Sequence, residues 1–309
     1  MNKKLKVLIL GYSSLVRRKI IITFNKNKIL FSVASISFKN NEKNSYNWYN
    51  SYSEGIKKSN ADLVYISLPN AYHYYWAKKS LENGCHVIVD KPATMNFRQA
   101  KNLVNIAKKK KKLISEAIFF NYHNQFDEAL KIIGGTNKIK YAHANFVIPY
   151  PKKGKFLISK KLGGGCLMDS GPYAASVARL ISGGDRLEKL NKVFKKNSKG
   201  LIVSFSILCK FKKLIFSGFF SFGGEYTNNL SFFSKNKYVL INRVFSPPTD
   251  QSLQIVYKSN NVINKRKIKK NDYFNTYLKK VFKAVQSKKF EHFYKILLAD
   301  SKFREQIKK

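Results

Sequence analysis

Short apolar runs alternate with helically spaced apolar residues through the first 118 positions of the chain. The runs predict buried strands, because they are bounded by turn residues and are too short for typical helices. The segments between them repeat apolar positions every three or four residues, which predicts helices. The predicted strands are 5–10, 30–36, 61–68, 85–91 and 113–117, and the predicted helices are 15–24, 72–83 and 97–112. This alternation favours a doubly wound parallel sheet with right-handed crossovers.

The pattern changes after residue 141, where longer runs with aromatic residues and polar-apolar alternation begin. These runs are 142–148, 200–210, 214–222, 229–233 and 239–241. Alternation of this kind favours a mostly antiparallel sheet. The last segment, 272–309, has helical spacing. We therefore predict an α/β chain in which a doubly wound domain at 1–118 precedes a second α/β domain at 119–309.

The strand at 85–91 ends in an acid, a lysine and a proline, Asp90, Lys91 and Pro92. Since proline cannot donate to a strand ladder, the strand should stop near Lys91. Ligands of open α/β sheets bind at the carboxyl ends of the strands. A lysine is most often solvated, but this position makes Lys91 a candidate catalytic group. The predicted carboxyl edge would carry Gly11, Ser35, Asn70, Lys91 and Glu116.

The turn after the first strand is a candidate pyrophosphate site. Such a turn aims backbone N–H groups and a helix N-terminus at the phosphates. Against the fingerprint G-x-G-x-x-G/A, the chain has Gly11 first, Ser13 in the second glycine position and Val16 in the third. The match is partial and carries little weight by itself.

The segment after the second strand bears on the choice of nicotinamide cofactor. An acid there would bind the ribose 2′-OH of NAD, and none is present. Ser35, Ser37 and Lys39 suit a 2′-phosphate better, which favours NADP over NAD. The alternative is that these three are ordinary loop residues.

A run of three glycines at 163–165 precedes a second candidate site. Asp169 and Tyr173 follow it four residues apart, so on a helix they would share one face. The alternative is a helix cap followed by a packed tyrosine.

The charge of the chain, +42 from 59 basic and 17 acidic residues, suggests nucleic acid or an anionic surface as a partner. However, the lysines are spread along the whole chain, and the one dense run, 108–112, fits the end of a helix. No basic arm is present, which argues against nucleic-acid binding. A positive field would still attract nucleotide phosphates.

Cysteine and histidine positions predict neither a disulfide framework nor a metal site. The three cysteines are widely spaced, and the five histidines show no ligand spacing. Free thiols fit a reducing compartment, so we expect a cytoplasmic protein. The apolar run 7–10 is too short for a signal-peptide core, and no segment is long enough to span a membrane.

Four segments in order resemble one known family. They are 65–73 (YISLPNAYH), 84–92 (GCHVIVDKP), 116–125 (EAIFFNYHNQ) and 162–173 (LGGGCLMDSGPY). Together they resemble the glucose-fructose oxidoreductase and inositol dehydrogenase family, Gfo/Idh/MocA. Within that family, Arg17, Arg18, Tyr173 and the segment 243–248 (RVFSPP) are most similar to nucleotide-sugar 3-ketoreductases.

The resemblance implies a Rossmann domain at 1–118 that binds NAD(P). It implies a substrate-binding and oligomerisation domain with a mostly antiparallel open sheet at 119–309, whose C-terminal helices return to the first domain. It also implies a homo-oligomer formed through that sheet. The expected cofactor-binding residues are Gly11, Ser13, Ser14, Leu15, Ser35, Ser37, Lys39, Leu68, Pro69, Asn70, His73, Asp90, Lys91 and Glu116.

The activity implied by the resemblance is hydride transfer from NAD(P)H to a keto group of a sugar or nucleotide-linked sugar. Tyr173 would give a proton to the developing alkoxide. A phenol with a pKa of about 10 is a poor acid at neutral pH, and the Lys91 ammonium would lower that pKa. Asp169 would orient the substrate hydroxyl or the lysine. The expected substrate-side residues are Asn121, Tyr122, Lys155 and Tyr173.

The chain departs from the family pattern at several positions. Asp90 replaces the usual glutamate, and Asn121 stands where arginine is usual. Lys155 and Leu157 lie near positions that this subgroup fills with asparagine and arginine. Because these positions face the substrate in relatives, the resemblance describes the chemistry better than the substrate.

Three alternatives remain open at this stage. A sugar or polyol dehydrogenase would run the reaction in the oxidative direction. A non-catalytic family member would bind cofactor or sugar without turnover. A nucleic-acid-binding protein would owe its affinity to net charge and would bind with a steep salt dependence.

Overall fold

A computed structural model describes residues 5–37 and 46–309. The chain forms two compact units. The first contains the described residues up to Ala117 together with Tyr277–Leu298, and the second contains Ile118–Thr276 and Ala299–Lys309.

The first unit is built on a parallel sheet. Its strands are β1 (Lys6–Leu10), β2 (Leu30–Ala34), β3 (Asn47–Tyr49), β4 (Leu63–Ile66), β5 (His86–Asp90) and β6 (Ile114–Ala117). They lie in the order β3-β2-β1-β4-β5-β6, and every neighbouring pair is parallel. The central strands are buried throughout, as expected when both faces of a parallel sheet are covered. The predicted doubly wound sheet is confirmed.

Helices follow β1, β3, β4 and β5 along the chain. A π-helical turn (Val16–Ile20) leads into α1 (Ile21–Lys26), followed by α2 (Tyr52–Lys58), α3 (Asn70–Glu82) and α4 (Phe97–Lys110). The Asn96 side chain caps α4 by accepting from Gln99 N–H at 2.9 Å. Lys111 ends α4 in the left-handed conformation. The dense lysine run therefore marks a helix end, where cations interact favourably with the helix dipole.

The sequence pattern does not reveal β3 or α2. A three-residue strand is too short to show a period of two. Gly55 in the middle of α2 weakens the helical signal, although it has a packing reason, because a Cβ there would lie 3.0 Å from Ala34 Cβ.

The second unit contains an eight-stranded sheet. Its strands are β7 (Tyr141–Ile148), β8 (Leu187–Lys196), β9 (Ile202–Phe211), β10 (Ile215–Phe222), β11 (Thr227–Phe233), β12 (Lys237–Asn242), β13 (Leu253–Ser259) and β14 (Val262–Ile268). The order is β14-β13-β12-β11-β7-β10-β9-β8. Only the pair of β7 and β10 is parallel in this sheet. The predicted mostly antiparallel open sheet is confirmed.

Three strands of this sheet, β8, β13 and β14, are absent from the sequence prediction, and β8 and β14 form its edges. Their sequences, LEKLNKVFKK and VINKRKI, carry lysines that interrupt the apolar alternation. Charged side chains on edge strands prevent pairing with other chains. Part of the positive charge therefore serves an edge-protecting role.

Helices α5 (Asn124–Ile133) and α6 (Cys166–Ser182) pack against this sheet over a core rich in phenylalanine. An ion pair joins α6 to the end of the last helix. Arg179 Nε donates to Asp300 Oδ1 at 2.6 Å, and the Asp300 carboxylate is fully buried. Two C-terminal helices, α7 (Tyr273–Ser287) and α8 (Glu291–Lys308), each contribute residues to both units.

We expect acid to destabilise the fold through two buried histidines. His86 Nδ1 accepts from Leu113 N–H at 2.9 Å, and His123 Nδ1 accepts from Gln125 N–H at 3.2 Å. Burial lowers the pKa of each to about 4 from 6.5. The unfolded chain therefore takes up the protons first as pH falls. The stability from each neutral ring is complete above pH 6.5 and is lost between 6.5 and 4.

The expected loss is about 3 kcal/mol of unfolding free energy per histidine. Urea unfolding at neutral pH and near pH 4 would measure it. His86→Gln removes one titrating group and should reduce the pH-dependent loss by about that amount. An unchanged pH dependence in this variant would contradict the assignment.

Candidate active site

Five of the predicted site residues lie at the carboxyl ends of strands in the parallel sheet of the first unit. Gly11 follows β1, Ser35 follows β2, Asn70 begins α3 after β4, Lys91 follows β5 and Glu116 lies at the end of β6. Their strands are neighbours in the order β2-β1-β4-β5-β6. The structure therefore places the five residues along one edge, as the strand pattern predicted.

The turn after β1 requires glycine at its first position. Gly11 has φ +95°, and a Cβ there would lie 2.3 Å from the Ser67 carbonyl oxygen. Ser13, in the second glycine position, accepts from Val16 N–H at 3.2 Å, and its hydroxyl lies 2.8 Å from that of Ser67. The helix begins at Ser14. The backbone of the turn therefore lies so close to the segment after β4 that only glycine fits at position 11.

Asp90, the acid before Lys91, forms hydrogen bonds within the fold. The Asp90 carboxylate accepts hydrogen bonds from the hydroxyls of Tyr65 and Ser67. Burial raises the pKa of the Asp90 carboxyl, while the two hydrogen bonds act in the opposite direction. Because Ser67 also contacts Ser13, a chain of hydrogen bonds links the end of β5 to the first turn.

Two other predicted cofactor residues support the backbone after Lys91. The His73 ring is fully buried, with Nδ1 2.9 Å from Pro92 O and Nε2 2.7 Å from Leu68 O. Glu116 Oε1 accepts from Ala93 N–H at 2.8 Å. These contacts fix the chain on the carboxyl side of Lys91, so the direction in which the lysine leaves the strand is set by buried groups.

The remaining predicted cofactor residues lie at strand and helix ends. Leu68 and Pro69 connect β4 to α3, and Pro69 immediately precedes the first residue of that helix. Ser35 is buried and donates its N–H to Tyr49 O at 3.0 Å, whereas Ser37 is exposed. Lys39 lies outside the described residues.

In the second unit, the three glycines pack the start of α6 against a neighbouring segment. Gly163 and Gly165 have φ +77° and +107°. A Cβ on Gly164 would lie 2.4 Å from the carbonyl oxygens of both Phe156 and Leu157. Lys155, predicted on the substrate side, is exposed at the beginning of that segment.

Tyr173 is held by aromatic rings. It lies on α6 four residues after Asp169, and both side chains are partly exposed. Its ring stacks on Phe245 with centroids 5.1 Å apart and packs edge-to-face against Phe120 at 5.7 Å and Phe146 at 5.4 Å. The ring is therefore fixed on three sides, while part of the side chain stays accessible to solvent.

The predicted substrate residues Asn121 and Tyr122 lie in a 3-10 helix (Phe119–Tyr122). Asn121 Oδ1 accepts from Ser176 Oγ at 2.9 Å, and Ser176 Oγ accepts from Arg179 at 2.9 Å. Burial raises the pKa of the Tyr122 phenol to about 12. The side-chain oxygen of Asn121 is thus engaged in the network around the buried ion pair.

Sequence reasoning missed a polar cluster near Tyr173, formed by Tyr226, Asn228 and Ser246. The Tyr226 and Ser246 hydroxyls are 2.8 Å apart, and Asn228 Nδ2 donates to both. No periodicity could reveal it, because the residues lie on different segments. The segment 243–248 drew attention only through its resemblance to one subgroup.

Residues 5–37 and 46–309 contain no group of three His, Cys, Asp or Glu residues that is arranged to hold a metal ion. None of the helices in these ranges is long and apolar enough to cross a membrane. The three cysteines are buried free thiols.

The chain is similar to oxidoreductases of described function. A dTDP-3,4-didehydro-2,6-dideoxy-alpha-D-glucose 3-reductase from Actinomadura kijaniata is 30% identical over 198 residues, which cover 62% of this chain and 59% of that protein. D-xylose 1-dehydrogenase (NADP(+)) 2 from Haloferax volcanii is 28% identical over 137 residues, covering 44% and 42%. The matched part of the chain therefore spans less than two thirds of these relatives.

Solved structures share the fold. A 3-ketoreductase from Actinomadura kijaniata in complex with NADP and TDP-benzene matches with a TM-score of 0.90 at 22% identity, over 99% of this chain and 97% of that chain. An aldose-aldose oxidoreductase from Caulobacter crescentus matches with a TM-score of 0.85 at 17% identity over the same shares.

A family model described as "Oxidoreductase family, NAD-binding Rossmann fold" matches residues 5–118. These residues form the parallel sheet whose carboxyl edge carries Gly11 and Lys91. This segment of the chain is similar to the Gfo/Idh/MocA oxidoreductase family, the same family that the sequence motifs resemble.

Proposed function

We propose that the protein is an NADP-dependent oxidoreductase that reduces a keto group of a nucleotide-linked or free sugar. The observation that carries the proposal is the place of Lys91 at the carboxyl edge of the parallel sheet. Buried contacts from His73 and Glu116 fix the backbone that follows it. The sugar 3-reductase among the relatives supports the reaction class.

The first turn fits a dinucleotide cofactor. Gly11 lets the turn lie close to the segment after β4, and a helix begins three residues later at Ser14, where a helix N-terminus can bind phosphates. NADP is favoured over NAD by Ser35, Ser37 and Lys39 after β2. The relatives named for NADP or solved with it support the same preference.

We assign the proton chemistry to residues of both units. When bound, the reduced nicotinamide supplies the hydride. Tyr173 would donate a proton to the oxygen that becomes a hydroxyl, and the Lys91 ammonium would stabilise the negative charge on that oxygen. Asp169, one helical turn before Tyr173, would orient the substrate. Asn121, Tyr122 and Lys155 remain predicted substrate-side residues.

A second candidate function is oxidation of a sugar or polyol in the reverse direction. The similarity to D-xylose 1-dehydrogenase and to trans-1,2-dihydrobenzene-1,2-diol dehydrogenase from Xenopus favours it. Tyrosine at 173, where family members with histidine use that residue as a base, favours reduction.

We further propose a homo-oligomer formed through the face of the second sheet that its helices leave open. Leu208 and Phe219 are 47% and 40% exposed on adjacent strands of that face, and Tyr141 is 55% exposed. Exposed apolar side chains grouped on one face are typical of protein interfaces. Sedimentation at several concentrations would measure the assembly. Location in the cytoplasm stays a prediction from the sequence.

Turnover with a substrate panel tests the proposed function. NADPH or NADH would be mixed with nucleotide-linked keto sugars, free keto sugars and, in the oxidised form, polyols. We expect nicotinamide absorbance to fall with a keto sugar and kcat/KM to be higher with NADPH. Activity with polyols alone would favour the oxidative function. Cofactor binding in calorimetry without turnover of any compound would favour a non-catalytic protein.

A further inference from the structure

The hydroxyls of Tyr226 and Ser246, which form a cluster with Asn228, carry one more hydrogen than they can use between them. Asn228 Nδ2 donates toward both hydroxyl oxygens, with Tyr226 at 3.0 Å and Ser246 at 2.9 Å. The two hydroxyls are 2.8 Å apart, so one donates to the other. The second hydroxyl hydrogen has no acceptor within the cluster. Since Tyr226 is 42% exposed, this hydrogen is within reach of a ligand.

The segment that carries Ser246 also carries an exposed arginine, Arg243, whose backbone is held by hydrogen bonds. Arg243 adopts φ +53°, a left-handed conformation that costs a residue other than glycine of order 1 kcal/mol. Its N–H donates to Asn228 O at 2.6 Å, and Gln125 Nε2 donates to Val244 O at 3.3 Å. Asn228 Oδ1 also accepts from Phe245 N–H at 3.0 Å. Asn228 therefore fixes both the hydroxyl cluster and the backbone of Arg243.

These groups lie near Tyr173. Phe245, two residues after Arg243, stacks on the Tyr173 ring with centroids 5.1 Å apart. Phe146 contacts both Tyr173 and Tyr226, at 5.4 and 6.5 Å. Burial is the main cause of the raised pKa of the Tyr273 phenol, and Tyr173, Asp272, Arg243 and Tyr226 lie near enough to affect that pKa. The Asp272 carboxylate caps the start of α7, where it accepts a hydrogen bond from Asn275 N–H at 3.1 Å.

We propose that Arg243 and the spare hydroxyl hydrogen of the Tyr226–Ser246 pair form an anion subsite that binds the diphosphate of a nucleotide-linked substrate. A guanidinium and a hydroxyl donor are the groups that recognise phosphate oxygens. This assignment deepens the proposed function and rests on it, because it places the acidic part of the substrate beside the proposed proton donor. It explains why an arginine is kept in a strained backbone conformation.

Binding of nucleoside diphosphates by calorimetry tests the subsite without turnover. The probes are TDP, UDP, inorganic phosphate and NADP, each titrated into the full chain. Arg243→Gln should weaken TDP and UDP binding by about tenfold or more and leave NADP binding unchanged. Arg266→Gln is the matched control, because Arg266 is also an exposed arginine of the second unit and lies on β14. This control should bind every probe as the unchanged protein does.

The hydroxyl count gives a second, sharper test. Tyr226→Phe or Ser246→Ala alone leaves one hydroxyl whose hydrogen is still unused, so each should weaken TDP binding by no more than a few fold. The double variant removes the donor and should weaken binding by about tenfold. Equal losses in one single variant and in the double variant would overturn the hydroxyl assignment.

Other outcomes separate the subsite from the proposed function. Equal loss of TDP binding in Arg243→Gln and Arg266→Gln would show a general effect of net charge and would overturn the subsite. Absence of TDP and UDP binding to the unchanged protein would overturn it as well. TDP binding that depends on Arg243, without turnover of any keto sugar, would support the subsite and contradict the proposed reduction. Where turnover is found, Arg243→Gln should raise KM for the nucleotide-linked sugar and leave that for the free sugar unchanged.

Discussion

Replacing Tyr173 with phenylalanine is expected to lower kcat for keto-sugar reduction by roughly 10²–10⁴-fold while leaving NADPH affinity unchanged. The substitution removes the proposed proton donor but keeps the ring that stacks on Phe245. The fold should therefore be retained, and unfolding by urea would verify this. Steady-state kinetics with NADPH and the best substrate of the panel would measure the loss.

Tyr150→Phe is the control for this substitution, because Tyr150 is a 48% exposed tyrosine of the same unit. It should behave as the unchanged protein. Wild-type kcat in Tyr173→Phe would remove Tyr173 from the reaction and point to another acid.

Lys91→Met should lower kcat by roughly 10²-fold or more, since it removes the ammonium assigned to the developing oxyanion. If Lys91 and Tyr173 act on the same oxygen, the double variant should lose much less than the product of the two single effects. Strictly multiplicative losses would show that the two residues serve different steps.

A large loss of both cofactor affinity and stability is expected from substitution of Gly11. Gly11→Ala must accommodate a Cβ 2.3 Å from the Ser67 carbonyl oxygen, in a backbone conformation with φ +95°. Moving Ser67 disturbs its contacts with Ser13 and Asp90. We expect NADPH affinity to fall by about tenfold or more and the unfolding free energy to fall by about 2–4 kcal/mol.

Gly84→Ala is the matched control in the same unit. Gly84 has φ +79° with no atom within 4 Å of an added Cβ, so the substitution carries only the backbone cost of about 1 kcal/mol. NADPH affinity should be retained. Equal losses of stability and of affinity in the two variants would contradict the close approach of the first turn to β4.

The role of a lysine depends on where the fold places it, and the edge strands of the second sheet show this. The lysines of β8 and β14 interrupt the apolar alternation, so the sequence pattern did not predict these two strands. In the sheet the same lysines lie on edge strands, where charge prevents further pairing. The sequence pattern does not tell which strands lie at the edges of a sheet, so this role of the lysines could not be predicted.

The structure also gives a role to Asp90, which stands where the family usually has glutamate. The resemblance to the family presents Asp90 as a shortened glutamate beside Lys91, the predicted catalytic lysine. In the fold its carboxylate accepts from Tyr65 and Ser67, two residues apart on the neighbouring strand segment and 25 and 23 positions away along the chain. The strand pattern placed Asp90 at the correct edge but contained no information on which hydroxyls would reach it.

The sequence alone determined the parallel sheet, the edge that carries Gly11 and Lys91, and the helix that carries Asp169 and Tyr173. These follow from local signals, namely apolar period, proline and glycine, which act within a few residues. Only the tertiary structure decided the hydrogen bonds of Asp90, the engagement of Asn121 by Ser176, and the cluster that joins Asn228 to Ser246 and Arg243. Those contacts depend on which segments become neighbours in the folded chain, and side-chain contacts between distant segments leave no periodic trace in the sequence.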